Sequence, residues 1–334
     1  MNTFSAAAVS LANPSKRALQ HLFAALGLAA LASAASAQYP NKPITLVVPY
    51  QAGGSTDAIA RAVAQAASAE LGQPVIVDNK AGAEGQLGCL DVAKAAPDGY
   101  RLLAGGAGSL VLVPALRKTP PYDAVKDFTP IAGGWEYSFY MYVHPDLPAK
   151  NMVEFVNYVK ANPGKLNYAT GNNQGLMSMA YLARVAGLDM VKVSYKGEMA
   201  AVTDLLTDRV QAIFATSAPL SHVKTGKLRV LVTTLTKRSN VLPDVPTMKE
   251  AGQQEVPFGG GWVSIFGPAG MPKDVVERLN KAFTAVNNRP DIHAKMDQLG
   301  LVPSPLPPDE LGAYVKAQVI VYRDAVRDMK MPIE

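Results

Sequence analysis

The sequence predicts an α/β fold of doubly wound sheets flanked by helices, on three observations. β-branched apolar runs alternate with stripes of apolar residues at helical spacing. The alternation restarts after Asn162-Pro163-Gly164, so a second set of units repeats the architecture of the first without repeating its sequence. The apolar runs end time after time in Gly, Ser, Thr, Asn or Lys, as strand ends at a ligand cleft do.

The first unit sets the pattern. Ile44-Thr45-Leu46-Val47-Val48 has strand composition, and from Ala58 to Leu71 the residues Ile59, Val63, Ala67 and Leu71 lie four apart, on one helix face. Between them runs Pro49-Tyr50-Gln51-Ala52-Gly53-Gly54-Ser55-Thr56-Asp57. Gly53 and Gly54 leave the backbone bare, Ser55 or Thr56 is expected to cap the helix, and Asp57 suits its positive end. Free N–H groups, small hydroxyls and a helix dipole suit an anion such as a carboxylate. An ordinary βα turn with a good cap would look the same.

The next strands are Val75-Ile76-Val77-Asp78-Asn79 and Arg101-Leu102-Leu103-Ala104, with a helix over 90–96 between them. The second opens into Gly105-Gly106-Ala107-Gly108-Ser109, and neighbouring strands would bring this loop beside Gly53–Thr56. Strand pattern returns at 139–143, 166–169, 190–194, 210–215, 228–234 and 259–267, and helical pattern at 153–161, 176–185 and 198–207. Two helices close the chain: 273–287, with Val276, Leu279, Phe283 and Val286 facing inward, and 308–329, with Leu311, Val315, Val319, Tyr322, Val326 and Met329.

The N-terminus reads as a secretory signal peptide, residues 1–37. Lys16-Arg17 precedes an apolar run over 18–31, and Ala35-Ser36-Ala37 fits a small-residue cleavage site. A retained anchor is the alternative, but the run is short for a span of ~20 apolar residues. What remains of the 334 residues is still large enough to divide into two lobes. Removing Lys16 and Arg17 lowers the net charge from +5 to +3, which gives no reason to expect nucleic acid. With Cys89 as the single cysteine an internal disulfide is impossible, and its small-residue setting reads as a packed thiol.

Nucleotide and catalytic signatures are absent. No Gly-Lys-Ser/Thr triplet occurs, and Gly82, Gly85 and Gly88 have the wrong spacing for a dinucleotide site. No Gly-x-Ser-x-Gly elbow surrounds Ser55, and no His/Cys/carboxylate cluster has metal spacing. Asp57 and Glu136 would be a carboxylate pair only by chance proximity. The expectation is no catalytic residue, no cofactor and no metal.

The segments Lys42-Pro43-Ile44 through Asp57, Gln73-Pro74-Val75 through Asn79, Ala96-Pro97-Asp98-Gly99-Tyr100, Asn162-Pro163-Gly164 through Tyr168, Tyr195-Lys196-Gly197, Leu242-Pro243-Asp244-Val245-Pro246-Thr247 and Gly267-Pro268-Ala269-Gly270-Met271-Pro272 stand in order along the chain. Together they resemble the Bug-type periplasmic solute receptors of tripartite tricarboxylate transporters. The resemblance implies a two-lobed periplasmic-binding-protein fold, each lobe a doubly wound mixed sheet, joined by two crossing strands near Phe139–Val143 and Trp262–Phe266. Lobe one would be 38–140 with 259–334, and lobe two 141–258. It implies a periplasmic monomer that binds a small carboxylate in the interlobe cleft and passes it to membrane permease subunits. A sensory module signalling to a membrane kinase is the alternative, and a periplasmic hydrolase a weaker one.

Carried over, the carboxylate loops are Gly53, Gly54, Ser55 and Thr56 with Ala107, Gly108 and Ser109, beside Tyr50; the lobe-two wall is Gly171, Asn172 and Tyr195. Ala215-Thr216 stands where relatives often have Asp-Asn, Gln51-Ala52-Gly53-Gly54 where they have Pro-Pro-Gly-Gly, and Trp135-Glu136-Tyr137 where they are small and apolar. Without an acid at 215, lobe two is expected to offer little to an ammonium. Tyr50, Trp135, Tyr137, Phe214 and Trp262, near strand ends, favour an aromatic ligand or a weakly polar mono- or dicarboxylate.

Overall fold

The computed structural model describes residues 39–239 and 241–333, and the fold lies within Lys42–Glu334. The expected signal peptide, 1–37, lies outside the described residues. Among the described residues, no helix is long and apolar enough to cross a membrane.

The first sheet begins with β1 (Ile44–Val48), α1 (Ser55–Leu71), β2 (Val75–Asn79), α2 (Gln86–Ala93) and β3 (Arg101–Gly106). β1 pairs in parallel with both β2 and β3, the register of consecutive βα units. The expected stripe of α1 is its buried face: Ile59, Val63, Ala67 and Leu71 all face inward, against β2 and α7 (Lys273–Asn287). Gly72 ends α1 in the left-handed conformation that closes many helices.

β4 (Phe128–Tyr137) completes the N-terminal part of this sheet and is followed by β5 (Tyr140–Val143). The second sheet is built from β5, α3 (Met152–Ala161), β6 (Asn167–Thr170), α4 (Asn173–Ala186), β7 (Val191–Ser194), α5 (Glu198–Leu206), β8 (Ala212–Ala215) and β9 (Arg229–Thr233). The chain then returns to the first sheet through β10 (Trp262–Pro268), α7, α8 (Pro290–Gln298), β11 (Leu301–Pro303) and α9 (Pro308–Asp328); the short helix Leu220–Lys224 is α6.

The six-stranded sheet has the order β11-β4-β10-β3-β1-β2, and the five-stranded sheet β7-β6-β8-β5-β9. Both are mixed. β10 runs antiparallel to β3 and β4, and β5 antiparallel to β8 and β9, while β6 is parallel to β7 and β8. β5 pairs only within the second sheet and β10 only within the first. The passages between sheets are Ser138-Phe139 outward and 234–261 on return. They run side by side: the Tyr137 N–H donates to the Gly261 carbonyl at 2.6 Å, and the Thr234 N–H to the Phe139 carbonyl at 2.9 Å.

Three expected stripe positions are only partly buried: Val276 on α7, Val319 on α9 and Met329 just past its end; Val275 and Gln318 are buried on these helices instead. The first core cluster joins Leu103, Leu110, Trp262, Phe266 and Tyr322, and it takes in Met177 from α4 of the second sheet. The two sheets therefore share packed apolar contact behind the cleft, as well as the chain crossings.

Candidate functional site

The βα turn after β1 is held by a buried carboxylate. Gly54 is the residue before the first helical position, and no side chain caps α1. The expected cap by Ser55 or Thr56 does not form, because both lie inside the first turn after Gly54; the Thr56 hydroxyl is hydrogen-bonded to the Tyr137 hydroxyl. Asp57 reaches back to accept the Gly53 N–H at 2.9 Å, and Gly53 takes φ +88°, where a side chain would be strained. Asp57 also accepts from Arg61 Nε at 3.1 Å and Asn79 Nδ2 at 2.9 Å, and Asn79 in turn donates to the Tyr50 carbonyl. Burial alone would push the Asp57 carboxyl up, but the hydrogen bonds from Arg61, Gly53 and Asn79 outweigh it and hold it below its ordinary value.

After β3 the chain enters a wide-turned helix, Ala107–Leu112. Ala107 and Ser109 are buried in it, and the Tyr122 hydroxyl donates to the Ser109 carbonyl. Gly108 lies under Tyr50: a Cβ there would stand 3.4 Å from the Tyr50 hydroxyl. Burial raises the Tyr50 hydroxyl well above its ordinary value. The packed Cys89 thiol nearby is pushed up to about 11 by burial.

The second sheet contributes two helix starts and a carboxylate. Asn172 caps α4, its Oδ1 accepting the Gly175 N–H at 2.7 Å. Its Nδ2 donates to Glu198 Oε2 at 2.7 Å, and Glu198 Oε1 accepts the Thr216 hydroxyl at 2.5 Å and the Thr216 N–H at 3.2 Å. Three segments, the ends of β6 and β8 and the start of α5, thus meet on one acid. Gly171 permits it: a Cβ there would come within 2.5 Å of Glu198 Cα. Burial raises the Glu198 carboxyl, against the lowering by Thr216 and Asn172. The Tyr195 hydroxyl donates to Asp204 at 2.7 Å and is pushed up to about 12 by burial and by that carboxylate.

Between the sheets lies a cavity of about 650 Å³. Of the residues expected at the site, Tyr50, Thr56, Gly108, Gly171, Asn172, Tyr195 and Thr216 line it. Gly53, Gly54, Ser55, Ala107, Ser109 and Ala215 stand off its wall; Ala107, Ser109 and Ala215 are buried behind it. Of the aromatic residues, Tyr50, Tyr137 and Trp262 face the cavity, while Trp135 and Phe214 belong to the interior. Glu136 is not in the wall and accepts from Ser304 at 2.9 Å, so it makes no pair with Asp57 there. Sequence reasoning missed Glu198, Gln174 and Lys196 as wall residues. The signal for Glu198 was its place at a helix start directly after Tyr195-Lys196-Gly197. The expectation that lobe two has little to offer an ammonium fails on this acid.

The wall includes first-turn residues of three helices: Thr56 of α1, Asn173 and Gln174 of α4, and Glu198 of α5. First-turn N–H groups and helix dipoles favour negative charge; on the second-sheet side the Glu198 carboxylate already supplies it, accepting from Asn172 and Thr216. Among the described residues, no group of His, Cys, Asp and Glu could hold a metal ion.

Comparison with known proteins places this geometry among receptors. The model of the tripartite tricarboxylate transporter family receptor matches residues 59–320. The UPF0065 protein in gbd 5'region of Cupriavidus necator is 39% identical over 286 residues, covering 84% of this chain and 85% of that one. The solved structure of the periplasmic binding protein BugD superposes with TM-score 0.78 at 33% identity, covering 89% of this chain and 99% of BugD. MatC from Rhodopseudomonas palustris with bound malate superposes with TM-score 0.75 at 30% identity, covering 86% and 100%.

Proposed function

The chain belongs to the tripartite tricarboxylate transporter receptor family, and from that premise we propose that it captures a small carboxylate between its two sheets and delivers it to membrane permease subunits. Its working form is the periplasmic chain left after removal of residues 1–37, and it acts as a binding receptor without catalysis. One lobe is 38–140 with 259–334 and the other 141–258, and ligand draws them together.

The observation that carries the reading is the cavity wall. Three helix starts and strand-end loops of both sheets converge on about 650 Å³ of space, enough for a small organic acid. In this reading one ligand carboxylate lies by the first-sheet loops, at Thr56 and Gly108, with Gly53, Gly54, Ser55, Ala107 and Ser109 shaping those loops from behind. The ligand body runs past Tyr50, Tyr137 and Trp262 toward Asn172, Tyr195 and Thr216. Malate bound to MatC supports the ligand class.

Thermal-shift screening of the exported chain against small carboxylates tests the proposal, followed by calorimetry on Thr56→Ala. Carboxylates are expected to raise the melting temperature, and the variant to bind about three- to tenfold more weakly, as loss of one neutral donor implies. Stabilisation by neutral sugars and by no carboxylate would overturn the reading.

A further inference from the structure

We infer that Glu198 selects the far end of the ligand, favouring a carboxylate whose distal group is an ammonium or another hydrogen-bond donor and excluding a second carboxylate. This rests on the receptor reading and narrows it. Three donors of the second-sheet wall are suited to hold a second ligand carboxylate: Asn172 Nδ2, the Thr216 N–H and the Thr216 hydroxyl. All three are already engaged by Glu198, at 2.7, 3.2 and 2.5 Å. The chain thereby supplies its own carboxylate to the donors that a second ligand carboxylate would use.

A second ligand carboxylate there would meet like charge and find those donors occupied, which is a built-in repulsive element. A donor meets the opposite situation. Carboxylate oxygens offer about four acceptor positions, and three donors from the wall leave one for the ligand. The hydrogen bonds also fix Glu198 in place, so it need not be ordered when ligand arrives. Among the described residues, the wall holds two other charged residues, Glu84 and Lys196. Glu84 is also acidic and lies 3.8 Å from Arg117, and Lys196 is solvent-exposed.

Calorimetry with butyrate, γ-aminobutyrate and succinate tests the inference, since these share a four-carbon frame and differ only in the distal group. The exported chain is expected to bind γ-aminobutyrate at least about tenfold more tightly than succinate. Glu198→Gln, which keeps the shape, should erase that preference. Glu198→Ala, which frees Asn172 and Thr216, should bind succinate about tenfold more tightly than the parent. Circular dichroism confirms that each variant is folded. Succinate binding as well as γ-aminobutyrate, or a ratio that neither substitution moves, would overturn the selection by Glu198 and leave the receptor reading standing. Failure of every carboxylate, in this series and in the wider screen, would remove both.

Discussion

Replacing Asp57 by asparagine tests how the loop after β1 is held. The carboxylate is 5% exposed and accepts from the Gly53 N–H, Asn79 and Arg61. A hydrogen bond to a charged group contributes ~1.5–3 kcal/mol. The Arg61 side chain is 52% exposed, so its share falls to the ~0.2–1 kcal/mol of surface pairs. Asparagine keeps one acceptor oxygen and turns an NH₂ toward donors, so it loses one of the two inner bonds outright. The expected cost at pH 7 is about 2 kcal/mol. The sign with pH follows from the lowered folded-state value of Asp57. The unfolded chain takes up the proton first. The wild-type advantage is therefore complete above the unfolded value of ~4 and fades as pH falls through the lower folded value. Urea melts of parent and variant, stepped from pH 7 to pH 3, give the difference directly. A gap under about 0.5 kcal/mol at pH 7, or one that widens on acidification, would refute the reasoning.

Three further outcomes are expected. Gly171→Ala puts a Cβ against the Glu198 backbone, 2.5 Å from Cα and 2.8 Å from N, and should cost ~1–3 kcal/mol in urea melts; an unchanged midpoint would mean that α5 does not approach β6 this closely in solution. Tyr322→Phe removes the hydroxyl that donates to Gln174 Oε1 at 2.7 Å and strands a buried acceptor, for a loss of ~1–3 kcal/mol; a variant as stable as its parent would show that this link between α9 and α4 is not made. The Cys89 thiol, pushed up to about 11 by burial, should stay silent to a disulfide reagent at pH 8 until the chain is denatured; rapid labelling of the native protein would contradict its packing.

Local pattern by itself determined the βα units. The strand over 44–48, the apolar face of α1 and the bounds of α7 depend on period and composition, which are properties of neighbouring residues. The same local chemistry located the loops after β1 and β3, and the parallel pairing of those strands set them side by side. β4 escaped because Pro130, Gly133 and Gly134 interrupt its pattern. Its pairing with β10 absorbs them, Pro130 standing opposite Phe266 where the register shifts. β11, only Leu301–Pro303, is too short to show a period.

The cavity wall was decided by tertiary structure. Thr56 rather than Ser55 lines the cavity, and its hydroxyl is bonded to Tyr137, which arrives from β4, 81 residues along the chain. Whether a strand-end residue lines the cleft depends on side-chain direction: Ala215 closes β8 inside the core, while Thr216, one residue on, turns to the cavity. Glu198 becomes a wall residue because Asn172 and Gly171, after β6, and Thr216, after β8, converge on it. Periodicity reports which face of an element is buried. It carries no information about which ends of distant elements meet, because that is set by sheet order and by the path of the chain between the sheets.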